Sequence, residues 1–532
     1  MHAGKAKVAA ASGRASKPSR GAGKTGYGSA LQPVGIVALF ASLSAVACAY
    51  FYSRGSLLYY GDAVAHLNIA RRILDSRTPG WEQIGTVWLP LPHLLLLPFV
   101  RNMRLWTTGL AGAIPSGFCF VLGGLFFFLA VRRIFQSAVA ATAACLLLAL
   151  NPNLLYLQSL AMTEPVYLAA IAAVLYFSVR FRQEQSPASA IAAGLAACAG
   201  TLTRYEGWFL IPFVALYFFL AARQRRWLNA ILFGAIASLG PLWWLAHNWW
   251  YFGDPLEFYR GASSAQAIYR RALDAGMGRY AGDNDWKMAF FYFRSAAAVC
   301  AGAPLAWMAV AGAVAALFKR ALWPLVLLSL APVFYVMSIH SSGTPIFMPH
   351  LWPHSWYNTR YGLAALPLLA FAAAALVALA PVKLRALVAA AVVIAAVSPW
   401  LVYPSAENWI CWKESQVNSE VRRAWTTQAA AFLEANRHPG DGVIASFGDL
   451  TGIFQDAGIP LRATLHEGNH PLWLAAVSRP GLFLWEKWAV AVSGDPVSSA
   501  IDRVRKSGPR YDLVKTIAVK GAPVIEIYRR AR

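Results

Sequence analysis

The sequence YYGDAVAHLNIARR, residues 59–72, follows an apolar run at residues 34–52 that is long enough to cross a bilayer. Asp62 and His66 are one helical turn apart in this stretch, so a helix would present both on one face. The apolar side of that helix, which could then lie along a membrane interface, would be lined by Val64, Leu67, Ile73 and Leu74. Asp62 is either a cap of the helix or a functional carboxylate just outside a membrane.

The composition indicates a polytopic membrane protein. Of the 532 residues, 58% are hydrophobic and 13% are charged, whereas roughly a quarter of the residues of a soluble domain are charged. The 47 Lys and Arg residues outnumber the 24 Asp and Glu residues, which gives a net charge of +23. Because the basic residues mostly lie in short clusters between apolar runs, the positive-inside rule explains the excess. No nucleic-acid partner is therefore expected.

Eleven membrane spans are predicted. Their approximate limits are 34–52, 105–131, 134–152, 163–180, 187–203, 207–222, 227–249, 296–318, 321–339, 362–381 and 384–403. Basic clusters such as Arg132-Arg133 follow the even-numbered spans in short loops, which places those loops in the cytoplasm. Residues 1–33 are expected to form a disordered basic cytoplasmic tail. The external loops are then residues 53–104, 250–295 and 340–361.

Residues 405–532 have the character of a small soluble α/β domain on the external side. A helical pattern covers residues 420–436, and strand-like runs follow at residues 442–447, 482–492, 513–518 and 524–530. The predicted fold class is therefore a polytopic α-helical membrane protein. Its transmembrane domain would cover residues 34–404, and the α/β domain would rest on its external face.

Three further external segments place polar side chains at the mouths of spans. They are NPNLLYLQSLAMTEPVY (151–167) with Glu164, TRYEGW (203–208) with Arg204, Tyr205 and Glu206, and HLWPHSWYNTRYG (350–362) with His354, Tyr357 and Arg360. Each also has a purely structural interpretation, as a helix start or as an interfacial aromatic belt with an ion pair. The external histidines lack the close spacing of a zinc site. Carboxylates and arginines together would suit acid-base chemistry on a membrane-borne phosphate.

In these features the sequence resembles the GT-C superfamily of integral-membrane glycosyltransferases, in its branch of protein O-mannosyltransferases and aminoarabinose transferases. The likeness rests on the aspartate of YYGDAVAHLNIARRI, on the carboxylate of NPNLLYLQSLAMTEP, and on an external C-terminal domain after many spans. It covers about residues 34–400. It implies the inverting transfer of a sugar from a polyprenyl-phosphate-linked donor to an acceptor hydroxyl, on the periplasmic side of the cell (inner) membrane.

By position, the resemblance implies that Asp62 is the general base. Arg204 and Arg360 are then candidates for binding the donor phosphate. The candidates for substrate binding are His66, Glu164, Tyr205, Glu206, His354 and Tyr357. No cofactor is assigned, although a divalent cation near Glu164 and Glu206 stays an alternative. The acceptor could be a protein, a lipid or a polysaccharide.

The competing functions are a membrane transporter or lipid flippase and a non-catalytic scaffold or receptor. A transporter is expected to carry ionisable residues near the middle of its spans. Here the charges lie at one face and the span interiors are almost free of them, which favours the enzyme.

Overall fold

The computed structural model describes residues 26–505 and 508–531. A basic tail was predicted for residues 1–33, and residues 1–25 of it lie outside the described residues. Most of the described chain is helical, and a five-stranded sheet follows near the C-terminus. The predicted fold class, a helical membrane protein with a small C-terminal α/β region, is confirmed.

The helices before residue 403 form the membrane part of the protein. In chain order they begin with α1 (Gly26–Ser53), α2 (Gly61–Leu74), α3 (Pro90–Val100), α4 (Met103–Thr108), α5 (Leu110–Phe135), α6 (Ala138–Ala149), α7 (Pro152–Leu157), α8 (Glu164–Glu184) and α9 (Pro187–Thr201). They continue with α10 (Glu206–Ala221), α11 (Arg226–Phe252), α12 (Glu257–Arg260), α13 (Ala265–Asp274), α14 (Trp286–Ala301), α15 (Ala303–Phe318), α16 (Leu322–Ser341), α17 (Leu366–Leu379) and α18 (Arg385–Val402). Short 3-10 turns lie at Trp81–Ile84, Thr359–Ala365 and Val382–Leu384.

The predicted count of eleven spans is not confirmed. Among the described residues, seven helices are long and apolar enough to cross a membrane, or eight if α14 and α15 are taken as one broken span. The predicted third, fifth and sixth spans correspond to α6, α9 and α10, which have only 12, 15 and 16 residues. At a rise of about 1.5 Å per residue, such helices are shorter than a hydrocarbon core of about 30 Å.

The predicted eighth span, residues 296–318, is interrupted in the structure. Helices α14 and α15 meet there at an angle of 109°. Gly302 lies between them with a φ of +88°, a conformation that other residues rarely adopt. Pro304 follows within the first turn of α15, and it lacks the N–H that would continue the helical hydrogen bonding. The Gly-Ala-Pro sequence therefore starts a new helix instead of extending α14.

The C-terminal α/β region, which we define as residues 410–531, consists of one long helix, a sheet and short helices. Its helices are α19 (Ile410–Asn436), α20 (Thr451–Asp456), α21 (Leu472–Ser478), α22 (Pro480–Phe483) and α23 (Pro496–Val504), and its strands are β1 (Val443–Ala445), β2 (Thr464–Leu465), β3 (Trp488–Val492), β4 (Tyr511–Ile517) and β5 (Ile525–Arg530). The strand order is β2-β1-β3-β5-β4, with β1 parallel to β2 and β3 and with β5 antiparallel to β3 and β4.

Helix α2 is enclosed by protein, so the interpretation of it as a helix lying on the membrane surface was wrong. Its Leu67 is fully buried, Ile73 is 8% exposed, and α3 packs against it. Ion pairs then attach the end of this loop to the C-terminal α/β region. Arg77 binds Glu486 through two hydrogen bonds of 2.6 and 2.7 Å. The loop that begins with Asp62 is thus fixed between the helical bundle and the sheet.

Candidate functional site

Asp62 lies in the first turn of α2, but it does not cap the helix. The N-cap position is Tyr60, which makes no side-chain capping bond. The Asp62 carboxylate instead forms an ion pair with the guanidinium of Arg360, 298 residues further along the chain. The cap interpretation therefore does not account for this aspartate. Its negative charge is also well placed at the positive end of the α2 dipole.

Arg360 belongs to a continuous chain of ion pairs. Its Nε lies 3.3 Å from Glu164 Oε1, at the first residue of α8. The same Glu164 oxygen accepts a hydrogen bond of 3.1 Å from Arg204 Nη1. Arg204 Nε in turn donates to Glu206 Oε1 at 2.5 Å. The starts of α2, α8 and α10 and the 3-10 turn before α17 therefore meet at one place, and they bring together the charged residues singled out from the sequence.

Aromatic and hydroxyl groups hold the two arginines of this chain. Arg204 also donates to Thr163 Oγ1 and to Tyr335 OH, and Tyr335 OH donates to Glu206 Oε1 at 2.9 Å. The Tyr361 ring lies between the two guanidinium groups, whose Cζ atoms are 5.6 and 5.3 Å from its centroid. Burial alone would lower the pKa of Arg204, but the charges of Glu206 and Glu164 outweigh it and raise the pKa above its usual range. Arg204 therefore stays charged despite its burial.

Glu414 was not identified from the sequence, yet it is a central contact of the cluster. It lies in α19 and is almost fully buried. Its Oε2 accepts hydrogen bonds from Thr359 N, at 2.7 Å, and from Thr359 Oγ1. Its Oε1 accepts from Tyr60 OH at 3.3 Å and lies 3.6 Å from Arg360 Nη1. Burial raises the pKa of Glu414, and the charge of Arg360 opposes that rise.

Two cavities meet at the arginines. The first, which we call the polar cavity, has a volume of about 240 Å³, and the candidate residues that line it are Asp62, His66, Glu164, Arg204, Tyr205, Glu206 and Arg360. The second, the apolar cavity, has about 50 Å³ and lies among side chains of α8, α16 and α17. Both arginines and Glu164 line both cavities. A ligand phosphate at the arginines could therefore extend an apolar tail between the helices and a polar group towards Asp62.

His66 is buried and paired with a second histidine. Its Nδ1 lies 2.8 Å from His93 Nε2 in a hydrogen bond, and Trp88 packs on its ring at 4.7 Å between centroids. Burial, together with the charges of Arg360 and Arg204, lowers the pKa of His66 to about 3. His66 is therefore neutral at physiological pH. Tyr205 lines the polar cavity beside it and donates to the Val87 carbonyl oxygen at 2.7 Å.

The structure does not bring His354 and Tyr357 into the polar cavity. His354 is exposed on a loop, and its Nδ1 lies 3.0 Å from the Pro349 carbonyl oxygen. Tyr357 is 48% exposed. Its pKa is raised mainly by burial and further by the negative charge of Asp62, which is therefore near it. Tyr357 is thus at the rim of the site. Among the described residues, no three His, Cys, Asp or Glu side chains are grouped so as to hold a metal ion.

Comparisons with known proteins agree with this architecture. Residues 103–250 match the family model of dolichyl-phosphate-mannose-protein mannosyltransferases. The fold is similar to the crystal structure of ArnT from Cupriavidus metallidurans bound to undecaprenyl phosphate, with a TM-score of 0.58 and 15% identity over 93% of this chain and 98% of that chain.

The apo state of the same ArnT gives a TM-score of 0.53 and 16% identity, also over 93% of this chain and 98% of that one. The comparison with curated protein sequences finds no significant match. At these identities the structural likeness concerns the fold, while the family model concerns the sequence of α4 to α11. Together they support the resemblance to the GT-C superfamily of integral-membrane glycosyltransferases.

Proposed function

We propose that this protein moves a sugar from a polyprenyl-phosphate-linked donor to an acceptor hydroxyl, with inversion and with Asp62 as the general base. One observation carries the proposal: a half-exposed carboxylate faces a polar cavity whose inner end has two buried arginines and an apolar space among the helices. The match to ArnT bound to undecaprenyl phosphate supports a lipid-linked donor.

Arg204 and Arg360 would bind the donor phosphate. A guanidinium offers parallel N–H donors that match the oxygens of a phosphate. The prenyl chain would start in the apolar cavity, where Leu168 and Ala364 are among the lining residues. Glu164 Oε2 is buried, and no described residue donates a hydrogen bond to it. A hydroxyl of the transferred sugar could satisfy this oxygen, which supports Glu164 as a substrate-binding residue.

Donor binding would release Asp62 from its ion pair. The two arginines already contact four carboxylates, so a phosphate that binds both guanidinium groups would compete with these carboxylates. The Asp62 side chain is 40% exposed, whereas those of Glu164, Glu206 and Glu414 are 12%, 5% and 2% exposed. Asp62 is therefore the most hydrated of the four carboxylates, so it would leave its arginine with the least rearrangement of the protein. The free arginine atoms would then bind the phosphate.

The released carboxylate is placed to accept a proton. In the proposed reaction the acceptor hydroxyl gives its proton to Asp62 while its oxygen attacks the anomeric carbon. The bond from that carbon to the phosphate oxygen breaks, and the bonding electron pair leaves with the phosphate. Because the phosphate leaves without being protonated, one base suffices, unlike the two carboxylates of most glycoside hydrolases. Arg204 and Arg360 would stabilise the charge that develops on the leaving group.

The proposed location of the reaction is the periplasmic side of the cell membrane. Helix α8 begins with Glu164 at the polar cavity, and its last turns contain Arg180 and Arg182. Sixteen residues of helix separate Glu164 from Arg180, which corresponds to about 24 Å. Since basic clusters mark cytoplasmic helix ends, the cavity would open on the opposite side.

Asp62→Asn tests the proposal, with Asp254→Asn as the matched control. Asp254 lies in another loop, pairs with Arg260 at 3.4 Å, and does not line the polar cavity. We expect Asp62→Asn to bind undecaprenyl phosphate but to lower transfer by about 10²- to 10⁴-fold, the usual contribution of a general base. Transfer is measured by mass spectrometry of the glycans that a gene-deletion strain loses and that each variant restores. Restoration by Asp62→Asn as complete as by Asp254→Asn would contradict the role of Asp62.

A further inference from the structure

A third cavity lies along a neighbouring face of α2 from the polar cavity. We call it the α2–α20 cleft, because α2, α19 and α20 form its walls; its volume is about 590 Å³. Gly61, next to Asp62 in the chain, lines one part of it, and Trp88 lines both the cleft and the polar cavity. From Gly61 to Arg72 the cleft follows eleven residues of helix, or about 16 Å. An elongated molecule in the cleft could therefore reach the region of Asp62.

Arg72 is a partly buried cation of this cleft, and its Nε is enclosed without a hydrogen-bond partner among the described residues. Its Nη2 donates to the Gln83 carbonyl oxygen at 3.2 Å, and its Cζ lies 5.8 Å from the Phe447 ring centroid. Among the described residues no carboxylate oxygen lies within ion-pair distance of it. Burial lowers its pKa to about 10, and the charge of Glu467 opposes this only partly. The Phe447 N–H donates to both carboxylate oxygens of Glu467, at N···O distances of 3.1 and 2.9 Å.

A buried guanidinium without a carboxylate is unfavourable unless an anion binds to it. Two further arginines, Arg422 and Arg423, line the same cleft, against the two acids Asp456 and Glu467. Among the described residues Arg423 forms no ion pair either, and its Nε donates to Ser419 Oγ at 3.1 Å, so Arg72 and Arg423 favour an anionic ligand. Arg72 would bind the anionic group, since its planar fork suits either a carboxylate or a phosphate.

The polar atoms of the cleft that have no partner among the described residues indicate a carbohydrate. Three buried polar atoms of lining residues have no hydrogen-bond partner among the described residues: Asn68 Nδ2, Arg72 Nε and Gln455 Oε1. Two of them are donors and one is an acceptor, and sugar hydroxyls both donate and accept. The walls are helices and loops, so they present no strand edge that could pair with the main chain of an extended peptide.

We infer that the α2–α20 cleft binds the acceptor as an anionic oligosaccharide, with its charged group at Arg72 and its reacting hydroxyl near Gly61 and Trp88. This inference rests on the proposed function for the role of the ligand as acceptor. The binding site itself is defined by the cleft alone. It gives the acceptor a separate entrance from the donor, whose phosphate would lie in the polar cavity on a neighbouring face of α2.

The test is equilibrium binding to the purified full-length protein in detergent, with four probes. A tetrasaccharide of galacturonic acid carries carboxylates, a phosphorylated maltotetraose carries phosphate, maltotetraose is neutral, and tetraglutamate is an acidic peptide. We expect the two acidic sugars to bind more tightly than maltotetraose and tetraglutamate, and their ranking identifies carboxylate or phosphate as the preferred anion. Equal binding of maltotetraose would overturn the anionic part of the inference, and equal binding of tetraglutamate would overturn the carbohydrate part.

Arg72→Gln locates the bound anion, and Arg104→Gln is the control. Arg104 is exposed and does not line the cleft, but its substitution removes the same charge. A charge-assisted hydrogen bond contributes enough that Arg72→Gln should weaken binding of the acidic sugar about tenfold to a hundredfold. Unchanged binding by Arg72→Gln would overturn the inference. Arg72→Lys, which keeps the charge without the planar fork, should give a smaller loss, and it serves as the test if the glutamine variant unfolds.

Undecaprenyl phosphate binding separates this inference from the proposed function. Both Arg72 variants should bind undecaprenyl phosphate like the unmodified protein, because Arg72 does not line the polar or the apolar cavity. If the unmodified protein binds the acidic tetrasaccharide through Arg72 but does not bind undecaprenyl phosphate, the proposed donor fails while the anionic cleft stands. If the protein binds undecaprenyl phosphate but not the acidic tetrasaccharide, the inference about the cleft fails and the proposed donor site stands.

Discussion

Replacement of Glu414 by glutamine tests how the C-terminal α/β region supports the polar cavity. The carboxylate accepts from the Thr359 N–H at 2.7 Å and from Tyr60 OH at 3.3 Å, and it lies 3.6 Å from Arg360 Nη1. Thr359 precedes Arg360 in the chain, and Tyr60 is two residues from Asp62. Glutamine keeps the shape, but its amide nitrogen places a donor opposite another donor, either at Thr359 or at Arg360.

We expect Glu414→Gln to shift the position of Arg360 more than it weakens binding of the donor. Charges about 4 Å apart attract by about 4 kcal/mol at an effective dielectric constant of 20, and a buried polar group without a partner costs about 1–3 kcal/mol. Arg360 keeps its contacts with Asp62 and Glu164, so it should shift without leaving the site. Since a misplacement of about 1 Å can lower a rate about 100-fold, we expect kcat to fall by about 10- to 100-fold. The donor KM should not rise, because the site loses one negative charge.

The assay is transfer to the acceptor identified by the glycan comparison, with the donor concentration varied and thermal unfolding measured in parallel. Glu407→Gln is the matched control, because Glu407 is half-exposed, pairs with Lys413 and precedes the same helix. It undergoes the same chemical change without contacting Arg360. An unchanged kcat in Glu414→Gln would refute the positioning role, and a higher donor KM at normal kcat would show that Glu414 acts on binding instead.

Three further predictions follow from the site and the topology. Because the pKa of His66 is lowered to about 3, its ring stays neutral between pH 5 and pH 8. The pH–rate profile should therefore show no inflection near pH 6.5 that comes from His66, and the profile of His66→Gln should have the same shape. Ala364→Phe should raise the KM of a long-chain prenyl donor more than that of a short-chain analogue, because Ala364 lines the apolar cavity. In intact cells, Asp254→Cys should react with a membrane-impermeant maleimide, whereas Arg223→Cys should react only after permeabilisation.

Much of the site could be predicted because its charged residues lie at the ends of helices, where the local sequence identifies them. Asp62, Glu164 and Glu206 each lie within the first two residues of a helix, next to apolar runs that hydropathy identifies. The charge pattern then assigns these starts to one side of the membrane. Once they share a side, the short connections leave them little freedom to lie apart. The structure accordingly places these carboxylates around the same two arginines.

The contacts that cross from the C-terminal α/β region could not be predicted from the sequence. Glu414 stands in the sequence CWKESQ, which has the polarity of a solvated helix face, and its partner Thr359 is 55 residues away. The helical pattern was predicted from residue 420 only, whereas α19 begins at Ile410. The two-residue strand β2 was also missed, because a strand of that length has no periodicity. Burial of a carboxylate depends on the partner that covers it, and a single sequence does not contain that information.

In the two proposals helix α2 would lie between the donor and the acceptor, which would explain why its sequence is polar on more than one face. Asp62 and His66 face the polar cavity, whereas Asn68 and Arg72 line the α2–α20 cleft. An acceptor in the cleft can meet the donor only around the first turn of α2, where Trp88 lines both cavities. Asp62 lies in that turn. In the two proposals Asp62, which would take the acceptor proton, lies near the place where both ligands would meet, and the donor phosphate would replace it at Arg360.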